Sequence, residues 1–273
     1  MDNIKILITI DKNYIFPFKV MLRSFFINNP AEESLTIYLL HSSIPQADLD
    51  ELQEYCLSLG ATLIPIQFDK ELFENAPASE RYPQEMYYRL LAPHVLPQEL
   101  DKILYLDPDI LIINPLRPLW EVNLRGNVFA ASAHTSITEA TNFVNRVRLG
   151  TDHDYFNSGV IMIDLVKARQ LVKIDGVFHH VEENKDDLIL PDQDVFNALY
   201  GKDTLAVDDV LWNYDARNYF NYLVRSTGKH NMNWVMQNTA ILHFCGKNKP
   251  WNPSFDDLFF GVLYKHYMNI TTR

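Results

Sequence analysis

Cysteine, glycine and long apolar runs are all scarce in this sequence of 273 residues, which contains two Cys and nine Gly. Cys56 and Cys245 are too few for a disulfide framework in a chain of this length, so a reduced cytoplasmic setting is the simpler interpretation. The apolar start, Ile4–Ile10, is too short for the core of a signal peptide, and no run approaches the roughly 18 apolar residues that span a bilayer. We therefore expect a globular chain with neither a leader nor a membrane span.

Basic residues are also few, because 24 Lys and Arg stand against 35 Asp and Glu, for a net charge of −11. A protein that binds nucleic acid needs a basic face against the phosphates, so this composition disfavours a nucleic-acid partner. Electrostatic binding to an anionic membrane is disfavoured as well, and peripheral attachment to the inner face of a membrane is left open. An acidic chain can still hold a diphosphate if a divalent cation lies between its carboxylates and the phosphates.

Short apolar runs alternate with amphipathic stretches, which predicts an α/β fold. The expected strands are Ile4–Ile10, Leu35–His41, Ala61–Ile66, Lys102–Leu106, Ile110–Ile113, Asn127–Ala133, Phe156–Ile163 and Thr239–Phe244. The expected helices are Phe16–Asn28, one from about Pro45 to Gly60, one from Pro83 to about Ala92, Asp192–Tyr200 and Phe255–Met268. We expect one domain over residues 1–251 and a helical extension over 252–273 that packs on it, with docking to a membrane or partner as the alternative.

Several polar residues follow or close these predicted strands, where open α/β sheets bind ligands. In Asp107-Pro108-Asp109, two carboxylates two residues apart can face the same side of an extended segment, and the proline stiffens it. Such close like charges repel unless a cation neutralises them, and Mg²⁺ or Mn²⁺ with oxygen ligands also binds phosphates. A plain polar turn is the alternative, although the apolar runs on both sides favour a position at a strand end.

A second candidate segment runs from His243 to Trp251. His243 closes a predicted strand and could supply an imidazole to the same metal. Gly246 would let backbone N–H groups approach a phosphate, and Lys249 could place a positive charge on a diphosphate. A surface loop with a buried histidine is an equally good interpretation of this segment alone.

Polar residues also open a helix at Asp192-Gln193-Asp194 and a strand at Asn157-Ser158-Gly159. Asp192 suits a helix cap, and Asp with Gln offers the acceptors and donors that sugar hydroxyls need. Arg89 lies among apolar and aromatic residues, where a basic side chain usually needs a partner. A salt bridge to a buried carboxylate is the structural alternative for Arg89.

In their order along the chain these segments resemble glycosyltransferase family 8 over about residues 4–251. The family includes bacterial lipopolysaccharide galactosyl- and glucosyltransferases, glycogenin and galactinol synthases, and the likeness is greatest to its compact bacterial members. The matching segments are Thr9-Ile10-Asp11-Lys12-Asn13-Tyr14, Tyr88-Arg89-Leu90, Asp107-Pro108-Asp109, Asn157-Ser158-Gly159, Asp192-Gln193-Asp194 and His243-Phe244-Cys245-Gly246 with Lys249-Pro250-Trp251.

This resemblance implies a GT-A fold, which is a single nucleotide-binding α/β domain with a central mixed, mostly parallel sheet. It implies a UDP-hexose donor, Mn²⁺ with Mg²⁺ as the alternative, and the metal ligands Asp107, Asp109 and His243. Its uridine pocket would comprise Thr9, Ile10, Asp11, Asn13 and Tyr14, with Tyr14 stacked on the base and Pro108 near the ribose. The diphosphate would contact Gly246 and Lys249. The donor sugar would contact Arg89, Asn157, Asp192 and Gln193.

Asp192 and Gln193 are the expected catalytic residues. Gln193 resembles the family's position near the anomeric carbon, and a neutral amide is a poor nucleophile. We therefore expect attack from the face that the diphosphate leaves, with retention of configuration and the amide oxygen of Gln193 steadying the carbon. Lack of a basic, aromatic C-terminal tail puts a lipid-linked acceptor in doubt without excluding it.

Two other functions use the same residues. A nucleotidyltransferase or sugar-nucleotide hydrolase could use the carboxylates and metal, but Thr9–Tyr14 lacks the glycine-rich, basic character that usually holds a triphosphate. A non-catalytic sensor of UDP-sugars would have less need of Arg89, Asp192 and Gln193. Acceptor identity stays open among glycans, lipid-linked sugars and proteins, as does glucose against galactose; the expected acceptor loops are Ala133–Asp154 and Tyr214–Trp234.

Overall fold

The computed structural model describes residues 2–32, 34–68, 87–133, 138–184, 186–255 and 259–273, with only the backbone of 138–143. In these ranges the strands are β1 (Ile4–Thr9), β2 (Leu35–His41), β3 (Ala61–Gln67), β4 (Lys102–Leu106), β5 (Ile110–Ile112), β6 (Phe129–Ala133), β7 (Phe156–Asp164), β8 (Thr204–Val207), β9 (Tyr214–Asp215) and β10 (Ile241–His243).

The larger helices are α1 (Ile15–Asn28), α2 (Gln46–Ser58), α3 (Tyr88–Val95), α5 (Thr138–Leu149), α7 (Ile174–Asn184), α8 (Pro191–Tyr200) and α12 (Phe260–Thr271). Shorter ones are α4 (Arg117–Trp120), α6 (Leu165–Leu171), α9 (Asp209–Trp212), α10 (Tyr219–Arg225) and α11 (Met232–Asn238). The expected helix from Pro83 lies partly outside the described residues, and α3 begins within them at Tyr88. None of the helices in the described ranges is long and apolar enough to cross a membrane.

A seven-stranded sheet in the order β3-β2-β1-β4-β7-β6-β8 forms the centre of the molecule. β1, β2, β3 and β4 run parallel, as do β6 and β8, whereas β7 runs antiparallel to both β4 and β6. The sheet is therefore mixed and mostly parallel, as expected. After β1 the chain extends the sheet through β2 and β3, then returns to place β4 on the other side of β1. This reversal opens a crevice at the carboxyl ends of β1 and β4.

Both faces of the large sheet are covered, which explains why β1 and β4 are almost continuously apolar. Leu7 and Tyr105 face a core that also contains Leu90 and Phe196. Their neighbours along the strands face a second core on the other side of the sheet. Pro65 lies in β3 at the edge of the sheet, where a residue without an N–H group is tolerated.

A smaller sheet, in the order β5-β10-β9, lies beside the large one. β10 pairs antiparallel with β5, so that His243 lies opposite Ile110. Helix α12 packs on this part of the molecule through Phe260 and Tyr264, which belong to the same buried cluster as Leu111. This helix begins five residues later than Phe255 and ends at Thr271. Its division from the preceding residues as a separate extension remains a prediction.

Candidate active site

Asp107-Pro108-Asp109 forms the junction between the two sheets. The segment leaves β4 of the large sheet and enters β5 of the small sheet, while His243 ends β10 beside β5. The backbone N–H of Asp107 donates to the carbonyl of Gly159 at 2.8 Å, and the N–H of Phe244 donates to the carbonyl of Asp109 at 3.0 Å. Strand pairing on both sides thus fixes the positions of the two carboxylates and the imidazole.

Asp107, Asp109 and His243 form a compact group of potential metal ligands. Each offers one ligand atom, and these atoms lie within 4.8 Å of one another. His243 Nε2 is 3.2 Å from Asp109 Oδ1 and 3.8 Å from Asp107 Oδ2. Carboxylate oxygens with an imidazole nitrogen suit a divalent cation such as Mn²⁺. The residues therefore fit a divalent cation, as the family resemblance implies.

Gly159 makes this close arrangement sterically feasible. A Cβ atom at this position would lie 2.4 Å from His243 Cε1 and 2.6 Å from Asp107 Oδ2. Real Cβ atoms do not approach other atoms so closely, so a side chain here would force His243 and Asp107 apart. The backbone of Gly159 thus supports Asp107 by a hydrogen bond and leaves room for His243.

Asp109 is buried, yet its charge is balanced by two neighbours. Burial alone would raise the pKa of its carboxyl group, but the charges and hydrogen bonds of His243 and Lys249 hold that pKa well below its usual range. Lys249 Nζ contacts Asp109 Oδ2 directly and also donates to the carbonyl of Phe244 at 3.1 Å. Burial lowers the pKa of His243, but Cys245 and Asp109 raise it by a larger amount, so the net shift of this pKa is well upward.

Arg89 connects the carboxylates on the two sides of the site. Its Nη1 lies 3.0 Å from Asp107 Oδ1 and 3.3 Å from Asp192 Oδ2, and it donates to the carbonyl of Ser158 at 3.0 Å. The guanidinium also lies over the ring of Tyr105, 4.6 Å from its centroid. Burial would lower the pKa of Arg89, but these acidic neighbours raise it, so Arg89 stays charged. Arg89 therefore forms ion pairs with buried partners, as one interpretation expected, and it also lies in the candidate site, as the other expected.

Asp192 and Gln193 lie at the start of α8 and face the first residues of β7. The hydroxyl of Ser158 donates to Asp192 Oδ2 at 3.1 Å. Gln193 Oε1 accepts from Asn157 Nδ2 at 3.0 Å and from the N–H of Ser158 at 3.3 Å. The amide oxygen of Gln193 therefore accepts from two donors at the start of β7, and its expected role against the sugar carbon stays a prediction.

A cavity of about 640 Å³ opens beside this cluster at the carboxyl ends of β1 and β4. Its lining includes Thr9, Ile10, Asp11, Tyr14 and Pro108 from the expected uridine pocket and Asp107 and Asp109 from the expected metal ligands, but neither Asn13 nor His243. Arg89, expected at the sugar, and Lys249, expected at the diphosphate, line it as well. Ser42 and Ser43, which sequence reasoning did not single out, line it as well. The cavity thus joins the predicted base-binding segment to the predicted metal ligands.

The expected base-binding segment is held by its own hydrogen bonds. Asp11 Oδ1 accepts from the N–H of Asn13 at 2.8 Å, and Oδ2 accepts from Asn13 Nδ2 at 3.2 Å, which caps the turn at Lys12–Tyr14. Tyr14 meets Trp251 edge to face, with ring centroids 5.7 Å apart. Trp251 therefore holds the ring of Tyr14 at the cavity wall.

Gly246 adopts a backbone conformation that favours glycine, with φ of +94°. A Cβ atom here would also lie 2.7 Å from Arg217 Nη1. Arg217 is held by Asp215 through Nε–Oδ1 at 2.9 Å and Nη2–Oδ2 at 2.7 Å. The turn after β9 therefore places a basic group, Arg217, beside the loop that follows β10, and sequence reasoning missed it.

A larger cavity of about 740 Å³ lies at the opposite edge of the sheet. Its wall mixes acidic and basic side chains, among them Lys5, Lys102 and Asp164. The group of three potential ligands lies at the other edge, where the open-sheet rule also places ligands. The smaller cavity is therefore the candidate active site.

Two further buried residues of the site gave little signal in the sequence. The hydroxyl of Tyr105 lies 3.2 Å from Thr9 Oγ1 and donates to Asp107 Oδ1 at 2.6 Å. The Oδ1 atom of Asn213 lies 2.8 Å from His243 Nδ1. Tyr105 lies inside an apolar strand and Asn213 in an irregular segment, so neither has a spacing that marks it. A pairing of β4 with β1 would have pointed to Tyr105.

Comparisons with known proteins show what the chain is similar to. A family model, Glycosyl transferase family 8, matches residues 5–254. General stress protein A of Bacillus subtilis is 28% identical over 271 residues, covering 96% of this chain and 91% of that protein. Lipopolysaccharide 1,3-galactosyltransferase of Salmonella typhimurium is 23% identical over 262 residues, covering 92% and 74%.

The fold has a counterpart among solved structures. Galactosyltransferase LgtC, crystallised with donor and acceptor sugar analogues, superposes with a TM-score of 0.78 at 23% identity, covering 98% of this chain and 95% of that one. This match shows the GT-A fold, in which the mixed sheet carries the Asp-x-Asp segment at its carboxyl edge. Since the family model spans nearly the whole chain, the protein is a glycosyltransferase and belongs to glycosyltransferase family 8.

Proposed function

We propose that the chain transfers a hexose, glucose or galactose, from its UDP-sugar to a glycan, lipid-linked or protein acceptor with retention of configuration. The observation that carries this proposal is the convergence of the Asp107, Asp109 and His243 group with Arg89 and Asp192 beside one cavity. Galactose is named for two similar proteins, the Salmonella relative and LgtC. The proposal takes residues 1–251 as the catalytic domain, 252–273 as its extension, and the cytoplasm as the location.

The cavity divides into a base end and a diphosphate end. At the base end, Asp11 can accept from uracil N3–H and Tyr14 can contact the ring. At the diphosphate end, a divalent cation bound by Asp107, Asp109 and His243, with Mn²⁺ as the best candidate and Mg²⁺ as the alternative, would neutralise charge on the leaving group. Lys249 adds a positive side chain at the same end of the cavity, where it favours the charge that develops on UDP.

Among the described residues expected to contact the donor sugar, none is a strong nucleophile that is free of other contacts. Asp192 is held by Arg89 and by Ser158, and Gln193 is a neutral amide. We therefore place the acceptor on the face that the diphosphate leaves. There the departing phosphate oxygen takes the acceptor's proton, while Arg89 and Asp192 orient the hexose through its hydroxyls.

Base recognition gives a direct binding test. Calorimetry with UDP, CDP, GDP and ADP in the presence of Mn²⁺ should show a clear preference for UDP, because cytosine offers an acceptor at N3 and would face the carboxylate of Asp11. Equal affinity for the four nucleotides would remove the uridine-pocket assignment.

A metal-ligand variant tests turnover. Asp109→Asn should lower UDP release from UDP-glucose and UDP-galactose by about 100-fold or more, because it removes a charged ligand in a buried site. Asp50→Asn, at an exposed position in α2, is the matched control and should retain activity. Full wild-type activity in excess EDTA would contradict the metal assignment.

A further inference from the structure

We propose that Asn213 is a positioning residue that fixes the tautomer of His243, with the proton on Nδ1 and the lone pair of Nε2 facing Asp107 and Asp109. The inference rests on the proposed metal-dependent function. Asn213 lies between the expected metal ligand His243 and Asn157, which is expected to contact the donor sugar.

Asn213 is completely buried and must satisfy its amide within the protein. It lies between α9 and β9, as the residue that ends α9. Its Oδ1 is 2.8 Å from His243 Nδ1, and its Nδ2 is 2.8 Å from Asn157 Oδ1. Both ends of the amide thus contact residues of the site.

The orientation of these amides follows from a backbone group that can only donate. The N–H of Gly159 lies 2.9 Å from Asn157 Oδ1, so this atom is the oxygen of the Asn157 amide. The atom of Asn213 that faces the same oxygen must then be its NH₂ group. The carbonyl oxygen of Asn213 is therefore turned to His243, where it accepts the proton of Nδ1.

This proton assignment decides what His243 offers to a metal. A metal binds only the neutral imidazole, which has one protonated nitrogen and one lone pair, and the hydrogen bond at one nitrogen fixes the role of the other. With Nδ1 protonated, the lone pair belongs to Nε2, which lies 3.2 Å from Asp109 Oδ1. Burial of the ring and the close contact with Gly159 oppose its rotation.

The same chain of amides continues to the donor-sugar side. Because Asn157 turns its oxygen to Gly159 and Asn213, its NH₂ group donates to Gln193 Oε1 at 3.0 Å. The N–H of Ser158 donates to the same oxygen independently. Two backbone N–H groups thus set the orientation of a path that runs from His243 through Asn213 and Asn157 to Gln193.

Mn²⁺ affinity, measured from the EPR signal of the free ion without any sugar nucleotide, tests this role. Asn213→Ala removes the acceptor for Nδ1 and should weaken Mn²⁺ binding about 10- to 100-fold. Asn213→Asp keeps an oxygen acceptor for Nδ1 but loses the NH₂ group that donates to Asn157, so its Mn²⁺ affinity should recover above that of Asn213→Ala while its melting temperature falls. A purely structural role would predict equal loss in both variants.

Asn29→Ala is the matched control. Asn29 is also a buried amide, but it accepts from the N–H of Leu116 at 2.7 Å and donates to the carbonyl of Phe25 at 3.0 Å, remote from His243. This variant should lower the melting temperature and leave Mn²⁺ affinity unchanged. Unchanged Mn²⁺ affinity in Asn213→Ala, or equal loss in Asn213→Asp, would overturn the proposal.

A measurement on the wild type keeps the test independent of variant folding. In Zn²⁺-loaded protein labelled with ¹⁵N-histidine, the His243 proton should be on Nδ1, and a proton on Nε2 would overturn the assignment. UDP release by the wild type tests the proposed function separately. Intact metal binding with no turnover would contradict that function alone, whereas a wrong tautomer would contradict the role of Asn213 alone.

Discussion

At the scale of single residues, the site depends on close contacts that a larger side chain would disrupt. Gly159 is the clearest case, because its missing Cβ is what allows His243 and Asp107 to approach each other. The residue appears in the sequence only as a small residue at the start of a strand. Its importance becomes visible only when β7 is paired with β4, since that pairing places Gly159 against Asp107.

Gly159→Ala should therefore separate the ligands while the fold persists. We expect Mn²⁺ affinity and turnover to fall by about tenfold or more, since misplaced ligands lose coordination geometry. Gly176→Ala is the control, because a Cβ there would meet Lys173 Cβ at an ordinary 3.5 Å within α7. That change should stabilise the chain by about 0.5–1 kcal/mol and leave activity unchanged. Wild-type Mn²⁺ affinity in Gly159→Ala would contradict the steric account.

At the scale of elements, the start of α8 is held by one buried carboxylate. Asp194 accepts from Arg148 at 2.7 and 2.9 Å and from the hydroxyl of Tyr155 at 2.5 Å. It also accepts from the N–H groups of Ile189 and Leu190 at 2.7 and 3.0 Å. These bonds join α5, the segment before β7 and the turn before α8. They therefore fix the helix that carries Asp192 and Gln193.

Asp194→Asn should destabilise the chain by about 3 kcal/mol at neutral pH, since it leaves Arg148 without its buried partner. Burial opposes ionisation, but Arg148, Tyr155 and the two N–H groups lower the pKa of Asp194 in the folded state. The stabilising effect is thus fully present above the unfolded pKa of about 3.9 and declines as the pH falls through the folded value.

Urea unfolding of both proteins between pH 3 and 7 checks this prediction. The difference in unfolding free energy should be largest near neutral pH and should shrink as the pH falls below about 4. Asp175→Asn, an exposed acid in the first turn of α7, is the control and should change stability by less than about 0.5 kcal/mol. A difference that does not change with pH would show that the charge of Asp194 is not responsible.

Strands were easier to predict from the sequence than helices. Burial on both faces makes β1, β2 and β4 mostly apolar, and their predicted ends differ from the observed ones by at most one residue. Helices α5, α6, α7 and the short ones near β9 were not predicted; α6 and the short ones span about two turns or fewer, which resembles loop sequence. The predicted last helix, Phe255–Met268, begins five residues before the observed α12 and ends three residues before Thr271.

The candidate site was predictable to the extent that its residues end strands. Asp107, Asp109 and His243 follow apolar runs, so the rule for open sheets brings them to one edge. The orientation of Gln193 could not be predicted, because it depends on Asn157 and on a backbone N–H from a different element. Asn213 was missed because its role exists only in three dimensions.

At the scale of the whole molecule, the strong negative charge makes a metal important for the binding of a diphosphate. A chain of net charge −11 repels a diphosphate unless cations face it, and Lys249 is held by Asp109. Metal and nucleotide should therefore bind with positive coupling. UDP should stabilise the fold when Mn²⁺ is present and have little effect when it is absent.

Thermal unfolding provides the test of this coupling. At UDP concentrations near 100 times its dissociation constant, binding adds about 2.7 kcal/mol, which corresponds to a rise in Tm of roughly 5–10 °C for a chain of this size. UDP in excess EDTA should leave Tm unchanged, and ADP with Mn²⁺ should give a smaller rise than UDP. An equal rise with and without the metal would contradict the coupling.

The stereochemistry of the first product tests the central claim most directly. UDP-α-glucose and UDP-α-galactose would each be incubated with the chain and Mn²⁺, and the anomeric proton of the first product would be followed by NMR before mutarotation. The account predicts an α product, whether the acceptor is a sugar or water, and no product in excess EDTA. A β product would contradict attack from the face that the diphosphate leaves, and with it the retaining mechanism proposed for this chain.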